Sequence, residues 1–338
     1  MADRLTRIRA RLRCAHGRSP TLEHAHAGDP LAGLLDGPRA HGAFMIRACL
    51  EPPWAVRVAD RAPLTVMVMA RGEAWVTPDG GEQVRLRPGD LAIARGPDPY
   101  TCADAPGTAP QALILPGGEC SYPDGSPLNG SMDLGVRTWG DRPDAPTVML
   151  IGTYLMQGEI SGRLLDALPP LLTLPAEVWP CPLTPLLMEE IVRDEPGQEV
   201  VLDRLLDLLV ISALRAWFSR PEAAAPAWYQ ALGDPVVGRA LRLIQGDPAH
   251  PWTVSSLAAE AGVSRAALAR RFTELVGEPP MAHLTAWRLA LAADRLRDTE
   301  DTLAAIARRV GYGSAFALSS AFKRVYGVSP QEHRTRAA

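Results

Sequence analysis

Residues 253–280 read TVSSLAAEAGVSRAALARRFTELVGEPP, and residues 302–330 read TLAAIARRVGYGSAFALSSAFKRVYGVSP. The second stretch repeats the first about fifty residues later and has one extra residue, in the turn before Ser314, where an insertion is tolerated. The shared positions are Ala267, Leu268, Phe272, Gly277 and Pro280, which recur as Ala317, Leu318, Phe322, Gly327 and Pro330. The repeat predicts two structural units of the same local fold.

Each copy is predicted to form two helices joined by a tight turn. In the first copy, Val254–Ala261 forms a short helix, and Gly262 can adopt the positive φ that reverses the chain after it. Ser264 can cap the next helix, Arg265–Val276, by accepting a hydrogen bond from its unpaired N–H groups. The apolar residues predicted to face the core from this second helix are Leu268, Phe272 and Leu275.

The opposite face of Arg265–Val276 carries Ala266, Ala269 and Arg270. Two small residues beside an arginine suit entry into a DNA major groove, where a guanidinium can bond guanine O6 and N7 together. An ordinary solvent-exposed helix face is the alternative interpretation. Because the pattern occurs in two copies in register, DNA binding is favoured over an ordinary solvent-exposed face.

The segment between the copies, Met281–Arg297, is predicted to be one continuous helix. At about 1.5 Å per residue it would span about 25 Å. A rigid spacer of this length could hold two recognition helices on one side of a duplex, where successive major-groove faces are about 34 Å apart.

These stretches resemble the AraC/XylS family of bacterial transcription regulators over about a hundred residues. The motifs that carry the resemblance are Pro251-Trp252-Thr253, Leu257-Ala258, Gly262-Val263-Ser264-Arg265, Arg271-Phe272, Trp287-Arg288, Gly311-Tyr312, Ala321-Phe322-Lys323-Arg324 and Gly327-Val328-Ser329-Pro330. The resemblance implies a tandem helix-turn-helix domain that binds double-stranded operator DNA. It places base contacts of the first recognition helix on Ala266, Ala269 and Arg270, and those of the second on Ala315, Phe316, Ser319 and Ser320.

The second recognition helix departs from the family pattern. Relatives usually have an arginine where Ser320 stands, a phenylalanine where Leu318 stands and a tyrosine where His333 stands. Ser320 is also the repeat partner of Arg270, so the second unit lacks the side chain best suited to a bidentate guanine contact. We therefore expect the two units to read DNA asymmetrically. Phe316 could contact a thymine methyl, although packing within its own domain is the favoured interpretation.

The excess of basic residues lies in the C-terminal part of the chain, in agreement with the assignment of DNA binding to that part. Residues 233–338 contain 14 basic and 10 acidic residues, whereas the rest of the chain contains 21 basic and 28 acidic residues. Phosphate contacts need only a local basic patch. The candidate DNA contacts are Arg265, Ala266, Ala269, Arg270, Arg271, Ser314, Ala315, Phe316, Ser319, Ser320, Lys323 and Arg324.

The first half of the chain has a different pattern, in which short apolar runs alternate with Pro and Gly turns. Such a pattern predicts many short strands in a jelly-roll or barrel. The predicted strands are Phe44–Leu50, Trp54–Val58, Leu64–Ala70, Glu73–Thr77, Gln83–Leu86, Leu91–Ala94, Ala112–Leu115 and Thr147–Leu155. The segments that resemble the cupin barrel of one branch of the same family are Asp29-Pro30-Leu31, Arg71-Gly72-Glu73-Ala74-Trp75, Leu86-Arg87-Pro88-Gly89-Asp90 and Asp203-Arg204-Leu205-Leu206.

An enzymatic metal site in this barrel is disfavoured, because there is no histidine between Gly42 and Ala249. We therefore expect no metal, no cofactor and no catalysis, and a cupin enzyme fused to a DNA-binding domain remains the rival from another class. A small-molecule effector is the expected ligand. The candidate pocket residues, each of which could instead be ordinary core, are Trp54, Met67, Met69, Trp75 and Tyr100.

Cysteines offer an alternative signal, since some regulators of this branch respond to oxidants. Cys49, Cys102 and Cys120 lie in the barrel region and are the candidate redox residues, with buried inert thiols as the default. The chain has five cysteines in total, an odd number with wide spacing, which does not indicate a disulfide framework. With no apolar run long enough to cross a membrane and no signal peptide, the expected location is the cytoplasm.

Two helices, Thr184–Arg193 and Glu199–Phe218, are predicted after the barrel. The second has an apolar stripe wider than one neighbour requires, so a role in a homodimer as well as in the core and a role in the core alone are both open interpretations. The overall prediction is an α+β protein that is regulated by an effector, with RNA polymerase as a further candidate partner. Its predicted divisions are an extension (1–28), a cupin-like sensor barrel (29–180), a helical dimerisation region (181–219), a linker (220–232) and a DNA-binding domain (233–338).

Overall fold

The computed structural model of the chain describes residues 44–128, 130, 132–154, 162–163, 165–220, 223 and 225–337. The predicted N-terminal extension and the Asp29-Pro30-Leu31 motif lie outside these residues. The strands are β1 Phe44–Leu50, β2 Ala55–Val58, β3 Leu64–Arg71, β4 Ala74–Pro78, β5 Val84–Leu86, β6 Leu91–Arg95, β7 Tyr100–Ala103, β8 Ala112–Ile114, β9 Cys120–Ser121, β10 Thr138–Gly140, β11 Thr147–Tyr154 and β12 Leu171–Leu174. All eight predicted strands are present, and β7, β9, β10 and β12 were not predicted.

The strands form two six-stranded mixed sheets. The first sheet has the order β10-β1-β11-β3-β6-β12, and the second has the order β5-β4-β7-β2-β8-β9. Strands from distant parts of the sequence alternate in each sheet, as in the predicted jelly-roll or barrel. Most of the pairing is therefore non-local.

Burial explains why the strands of the two sheets differ in sequence. In β3, the residues from Leu64 to Met69 are all buried, because the first sheet is covered on both faces. In β4, Ala74 and Val76 are buried while Trp75 between them is only partly buried, because one face of the second sheet remains exposed. The space between the sheets is filled by one apolar cluster that includes Met67 and Met69.

Helices cover the other face of the first sheet. They are α1, Thr184–Glu190, and α2, Gln198–Phe218. The predicted apolar stripe of α2 divides in two: Leu209 and Leu214 of the stripe pack, together with Leu202 and Leu206, into a second cluster with β3, β6, β11 and β12. Val201 and Leu208 of the same stripe are exposed.

The remaining helices are α3 Ala227–Ala231, α4 Val237–Gly246, α5 Val254–Glu260, α6 Arg265–Val276, α7 Pro280–Asp298, α8 Leu303–Arg309, α9 Ala315–Tyr326 and α10 Pro330–Ala337. The helices α5, α6 and α7 agree with the predictions to within one residue, whereas α3, α4 and α10 were not predicted. The predicted linker, 220–232, contains α3, because Trp228, Tyr229 and Ala231 find apolar neighbours. No helix among the described residues is long and apolar enough to cross a membrane.

These C-terminal helices enclose two separate apolar cores. The first core contains Leu268 and Phe272 of α6, and the second contains Leu318 and Phe322 of α9. Helix α7 contributes one part of its length to each core: Leu284, Trp287 and Ala290 pack in the first, and Leu289, Ala293 and Leu296 pack in the second. The predicted spacer helix therefore fixes the two repeated units relative to each other.

Candidate DNA interface and sensor surfaces

The two repeated units are built from the same local hydrogen bonds. The Ser264 hydroxyl accepts a hydrogen bond from the Ala267 amide at 3.2 Å, and the Ser314 hydroxyl accepts one from the Ala317 amide at 3.1 Å. Each bond satisfies one amide that the helix itself cannot pair. Ser314, a predicted DNA contact, is thus the N-cap of the second recognition helix, as Ser264 is of the first.

Both recognition helices end on a glycine in the left-handed conformation, Gly277 with φ 88° and Gly327 with φ 74°. Other residues adopt this conformation only at an energetic cost, so glycine ends each helix at the same position. The core contacts are also repeated: His283 packs edge-on against Phe272 at 5.7 Å, and His333 packs edge-on against Phe322 at 5.3 Å between ring centroids. The departure at His333 therefore keeps an aromatic contact within the second core.

The first recognition helix, α6, presents the predicted face to solvent. Arg265, Ala266 and Arg270 are exposed and Ala269 is half-buried. The prediction that Leu275 belongs to the core is wrong, because its side chain is 38% exposed. Val276, four residues after the buried Phe272, packs against the core in its place.

The two consecutive arginines of α6 have different surroundings. Arg270 lies in solvent with its Nε 3.7 Å from the Glu274 carboxylate, a long contact that leaves the guanidinium able to reach a base. Arg271 donates to the Asp234 carboxylate at 2.5 Å and 2.9 Å. Burial raises the pKa of Asp234, but hydrogen bonds from the Val237 amide and Arg271 outweigh it, and the net pKa is lowered. Arg271 therefore anchors α6 to the start of α4.

The second recognition helix, α9, exposes Phe316, Ser320, Lys323 and Arg324, and it half-buries Ala315 and Ser319. The interpretation that Phe316 packs within its own domain is wrong, because 82% of the residue is exposed. Residue 316 is two positions before Leu318, which is fully buried, and this rotation along the helix turns the phenyl ring away from the core. The exposed face of α9 is thus partly aromatic.

Four of the five residues proposed to line a barrel pocket pack together in one apolar cluster. Trp54, Met67, Met69 and Tyr100 are buried together in the cluster that fills the space between the two sheets. Trp75 points to the opposite face of β4, where the Arg85 guanidinium lies 5.7 Å from its ring centroid. The grouping of Trp75 with the other four is therefore wrong, because alternate side chains of a strand face opposite sides of its sheet.

The three barrel cysteines are buried or half-buried. Burial raises the pKa of Cys102 to about 12, and its sulfur lies 3.7 Å from that of Met67. Burial also raises the pKa of Cys120, which is half-buried. Cys49 is fully buried in a small cluster with Ala145 and Val148. These surroundings favour inert thiols, because the thiolate is the reactive form.

Helix α3 connects the barrel part of the chain to the first repeated unit. The Tyr229 ring packs on Phe218, the last residue of α2, with centroids 4.7 Å apart. Ala231 of the same helix lies in the first C-terminal core, where Trp228 also packs. The charges of Glu278 and Arg163 also link the two parts of the chain. The pKa of Glu278 is lowered mainly by its hydrogen bond with His283, against the opposing effect of burial, and the positive charge of Arg163 lowers it further.

An open surface pocket of about 600 Å³ lies at this connection. The lining residues are Arg163, Asp166, Ala167, Leu168, Pro169, Trp217, Pro226 and Trp228. Sequence analysis missed this pocket because its residues come from two parts of the chain, 163–169 and 217–228, and share no motif. Among the described residues, no group of three or more His, Cys, Asp or Glu side chains could hold a metal ion.

Comparisons with known proteins agree with the two-part architecture. A cupin family model matches residues 29–219, and a helix-turn-helix domain model matches residues 257–336. An AraC-like transcription regulator of Streptomyces lividans is 34% identical over 315 residues, which cover 90% of this chain and 98% of the relative. The transcriptional regulator AlkR of Acinetobacter baylyi is 27% identical over 313 residues, covering 90% and 99%.

Solved structures also match the C-terminal part. The DNA-binding domain of AdpA, a global transcriptional factor crystallised with a target DNA, is 26% identical to this chain. The match covers 33% of this chain and 93% of that domain, with a TM-score of 0.26.

Proposed function

Because the chain belongs to the AraC-like transcription regulators that carry an N-terminal cupin domain, we propose that α6 and α9 read two adjacent major-groove segments of one operator. The observation that carries this proposal is the repetition of the same cap, core aromatic and exposed face in both units. Helix α7, with nineteen residues, spans about 28 Å at 1.5 Å per residue. That length suits two helices placed on one side of a duplex.

Arg270 is the residue we propose for guanine recognition in the first segment. Replacing it with alanine should weaken operator binding by about 1–3 kcal/mol and relax the preference at one base position, because a bidentate guanine contact is lost. The measurement is the affinity for the operator and for single-base variants at fixed salt. Arg242→Ala, which removes an exposed arginine from α4, is the matched control and should leave the base preferences unchanged. Unaltered discrimination in Arg270→Ala would contradict the assignment.

We propose that the protein is a homodimer joined through α2. Val201, Leu205, Leu208 and Ser212 follow one another along α2 at spacings of four, three and four residues; Val201 and Leu208 are exposed, whereas Leu205 and Ser212 are partly buried and Leu205 also packs against the core. This is the spacing of a seam between two packed helices. Val201 is 43% and Leu208 is 50% exposed in the single chain, which leaves apolar surface for a second copy to cover.

Leu208→Glu should therefore convert a dimer into a monomer without unfolding it, because the substituted side chain is half exposed in one chain and buried only in the pair. Sedimentation equilibrium gives the mass directly. Val178→Glu places the same charge at another exposed apolar position and should leave the dimer intact. A dimeric Leu208→Glu protein, or a monomeric wild type, would be contrary to the proposed interface.

We propose that a small-molecule effector controls DNA binding through the sensor. The support is the physical connection: the pocket at the junction is lined by Trp217 of α2 and Trp228 of α3, and α3 packs on the core of the first reading unit. A ligand held there would restrain α3 directly. The alternative of oxidant sensing has less support, because the pKa values of Cys102 and Cys120 are raised. If oxidant alters DNA binding and a cysteine-to-serine variant loses that response, the oxidant-sensing alternative regains support.

A further inference from the structure

Phe316 differs from the other phenylalanines whose side chains the structure describes. Phe218, Phe272 and Phe322 are at most 5% exposed, whereas Phe316 is 82% exposed. A phenyl ring in water leaves apolar surface hydrated that burial against another apolar group would remove from water. An exposed aromatic side chain on a candidate recognition helix therefore suggests a partner surface that covers it.

The position of Phe316 within α9 specifies which surface that is. Phe316 is the second residue of the helix and lies fifty residues after Ala266, its counterpart on α6. In a helix-turn-helix unit, the N-terminal residues of the recognition helix contact base edges. The ring is thus at the N-terminal end of the helix, where recognition helices contact base edges, whereas residues near the C-terminal end lie outside that region.

The side chains that share this face with Phe316 are suited to DNA. Ser319, Ser320 and Lys323 follow it at spacings of three, four and seven residues, which places all four on one side of α9. Arg324 of α9 is also exposed, and so is Arg308 of the preceding helix α8. The aromatic ring at the start of the helix and the two hydroxyls in its middle can face base edges on the floor of a groove. The cations toward its end can contact the phosphates that flank the groove.

The chemistry of the ring narrows the base that it can recognise. A phenyl group neither donates nor accepts a conventional hydrogen bond, and the one apolar group that unmodified bases present in the major groove is the C5-methyl of thymine. The hydroxyls of Ser319 and Ser320 can bond to any base and do not discriminate alone. Apolar contact by Phe316 is therefore the selective interaction available at the start of this helix.

We propose that Phe316 packs on a thymine methyl and makes the second unit selective for a T·A pair. The inference rests on the proposed DNA-reading function and adds the base class that each unit reads. Arg270 of the first unit recognises guanine, whereas the equivalent Ser320 of the second does not. One chain therefore reads a directional site, with a guanine-containing segment followed by a thymine-containing segment.

The test removes the methyl group and changes nothing else. The full chain is first used to select an operator from random duplexes, and each thymine of that operator is then replaced singly by dU. For the wild type, we expect one thymine whose replacement weakens binding about fourfold, the effect of burying one methyl-sized group. In Phe316→Ala, dU and dT at that position should bind equally well. Replacing the T·A pair by 5-methylcytosine paired with guanine should recover binding relative to unmodified cytosine.

We expect the Phe316→Ala protein to keep its fold, because the ring that it loses is exposed. Val325→Ala, which truncates an exposed apolar side chain in the last turn of α9, is the matched control and should retain the dU effect. A dU effect absent from the wild type, or equally large in Phe316→Ala, would overturn the proposal. So would a Phe316→Ala protein with normal base preferences that fails only to activate transcription, since the ring would then contact RNA polymerase. If no operator is selected at all, the DNA-reading function itself fails.

Discussion

Phe322→Ala is expected to destabilise the second reading unit by about 3–5 kcal/mol, the range for truncating a fully buried phenylalanine. The ring packs against Tyr326 at 4.5 Å and His333 at 5.3 Å between centroids, and both contacts lie within one core. Removing it leaves a cavity that helices held on both sides cannot readily close. Urea unfolding of residues 225–338, followed by circular dichroism, measures the loss.

Phe316→Ala provides a matched control for this prediction. The same substitution six residues earlier on the same helix removes an exposed ring, so its effect on stability should stay within about 0.5 kcal/mol. Phe272→Ala should destabilise the first unit to an extent similar to that expected for Phe322→Ala, since it is the repeat equivalent and equally buried. If Phe316→Ala and Phe322→Ala proved equally costly, the orientation of α9 would be incorrect.

The second large effect is expected on separating the two parts of the chain. Residues 225–338 should bind the operator but lose all response to an effector, since both cores and both recognition helices lie in this fragment and the barrel does not. Affinity should fall by about 10²–10⁴-fold, because the dimer stripe on α2 is also absent and the effective concentration of the second copy is lost. The measurements are operator affinity and melting temperature, each with and without a compound that shifts the full chain.

A shorter fragment tests where the DNA-binding part begins. Residues 233–338, the predicted boundaries, omit α3 and with it Trp228 and Ala231, which pack in the first core. This fragment should therefore be less stable than residues 225–338. Equal stability of the two fragments would show that α3 belongs with the sensor alone. A folded 225–338 fragment that retained a full effector response would contradict the proposed role of the junction.

The elements that were predicted are those with strong local signals. Helices α5 and α6 each have an N-cap side chain and a glycine after the last turn, and the repeat supplied independent support for their boundaries, whereas α7 was recognised from its helical periodicity alone. Strand β3 was recognisable as a continuous apolar run. By contrast, β7 is a four-residue strand, Tyr100–Ala103, whose partners β2 and β4 are distant in sequence, so its stability depends on tertiary pairing.

Helix α4 was missed for a different reason. Its second residue is Gly238, a poor helix former, yet a Cβ at this position would lie 2.3 Å from the Leu232 carbonyl oxygen. The glycine permits close packing of α4 against the end of α3, and only the folded structure shows that benefit. Local propensity therefore argued against a helix that tertiary packing requires.

The candidate site was predicted in its composition but not in its details. The exposed face of α6 followed from periodicity, and the placement of Phe316 among the DNA-contacting residues of α9, which the resemblance implies, stays a prediction. Its exposure was not foreseen, because a phenylalanine in a helix is more often buried. The pairing of Arg271 with Asp234 and the pocket at the junction depend on segments far apart in sequence, which no local pattern brings together.

The central claim is that two recognition helices of one chain read adjacent groove segments. Its most direct test is selection of operators by the full chain from random duplexes, followed by affinity measurements at several salt concentrations. We expect two short conserved segments about one helical turn apart, bound about 10³-fold or more tightly than random DNA, with affinity falling as salt rises. Arg270→Ala should relax only one segment and Phe316→Ala only the other. Selected sequences that bind no more tightly than random DNA would contradict the account.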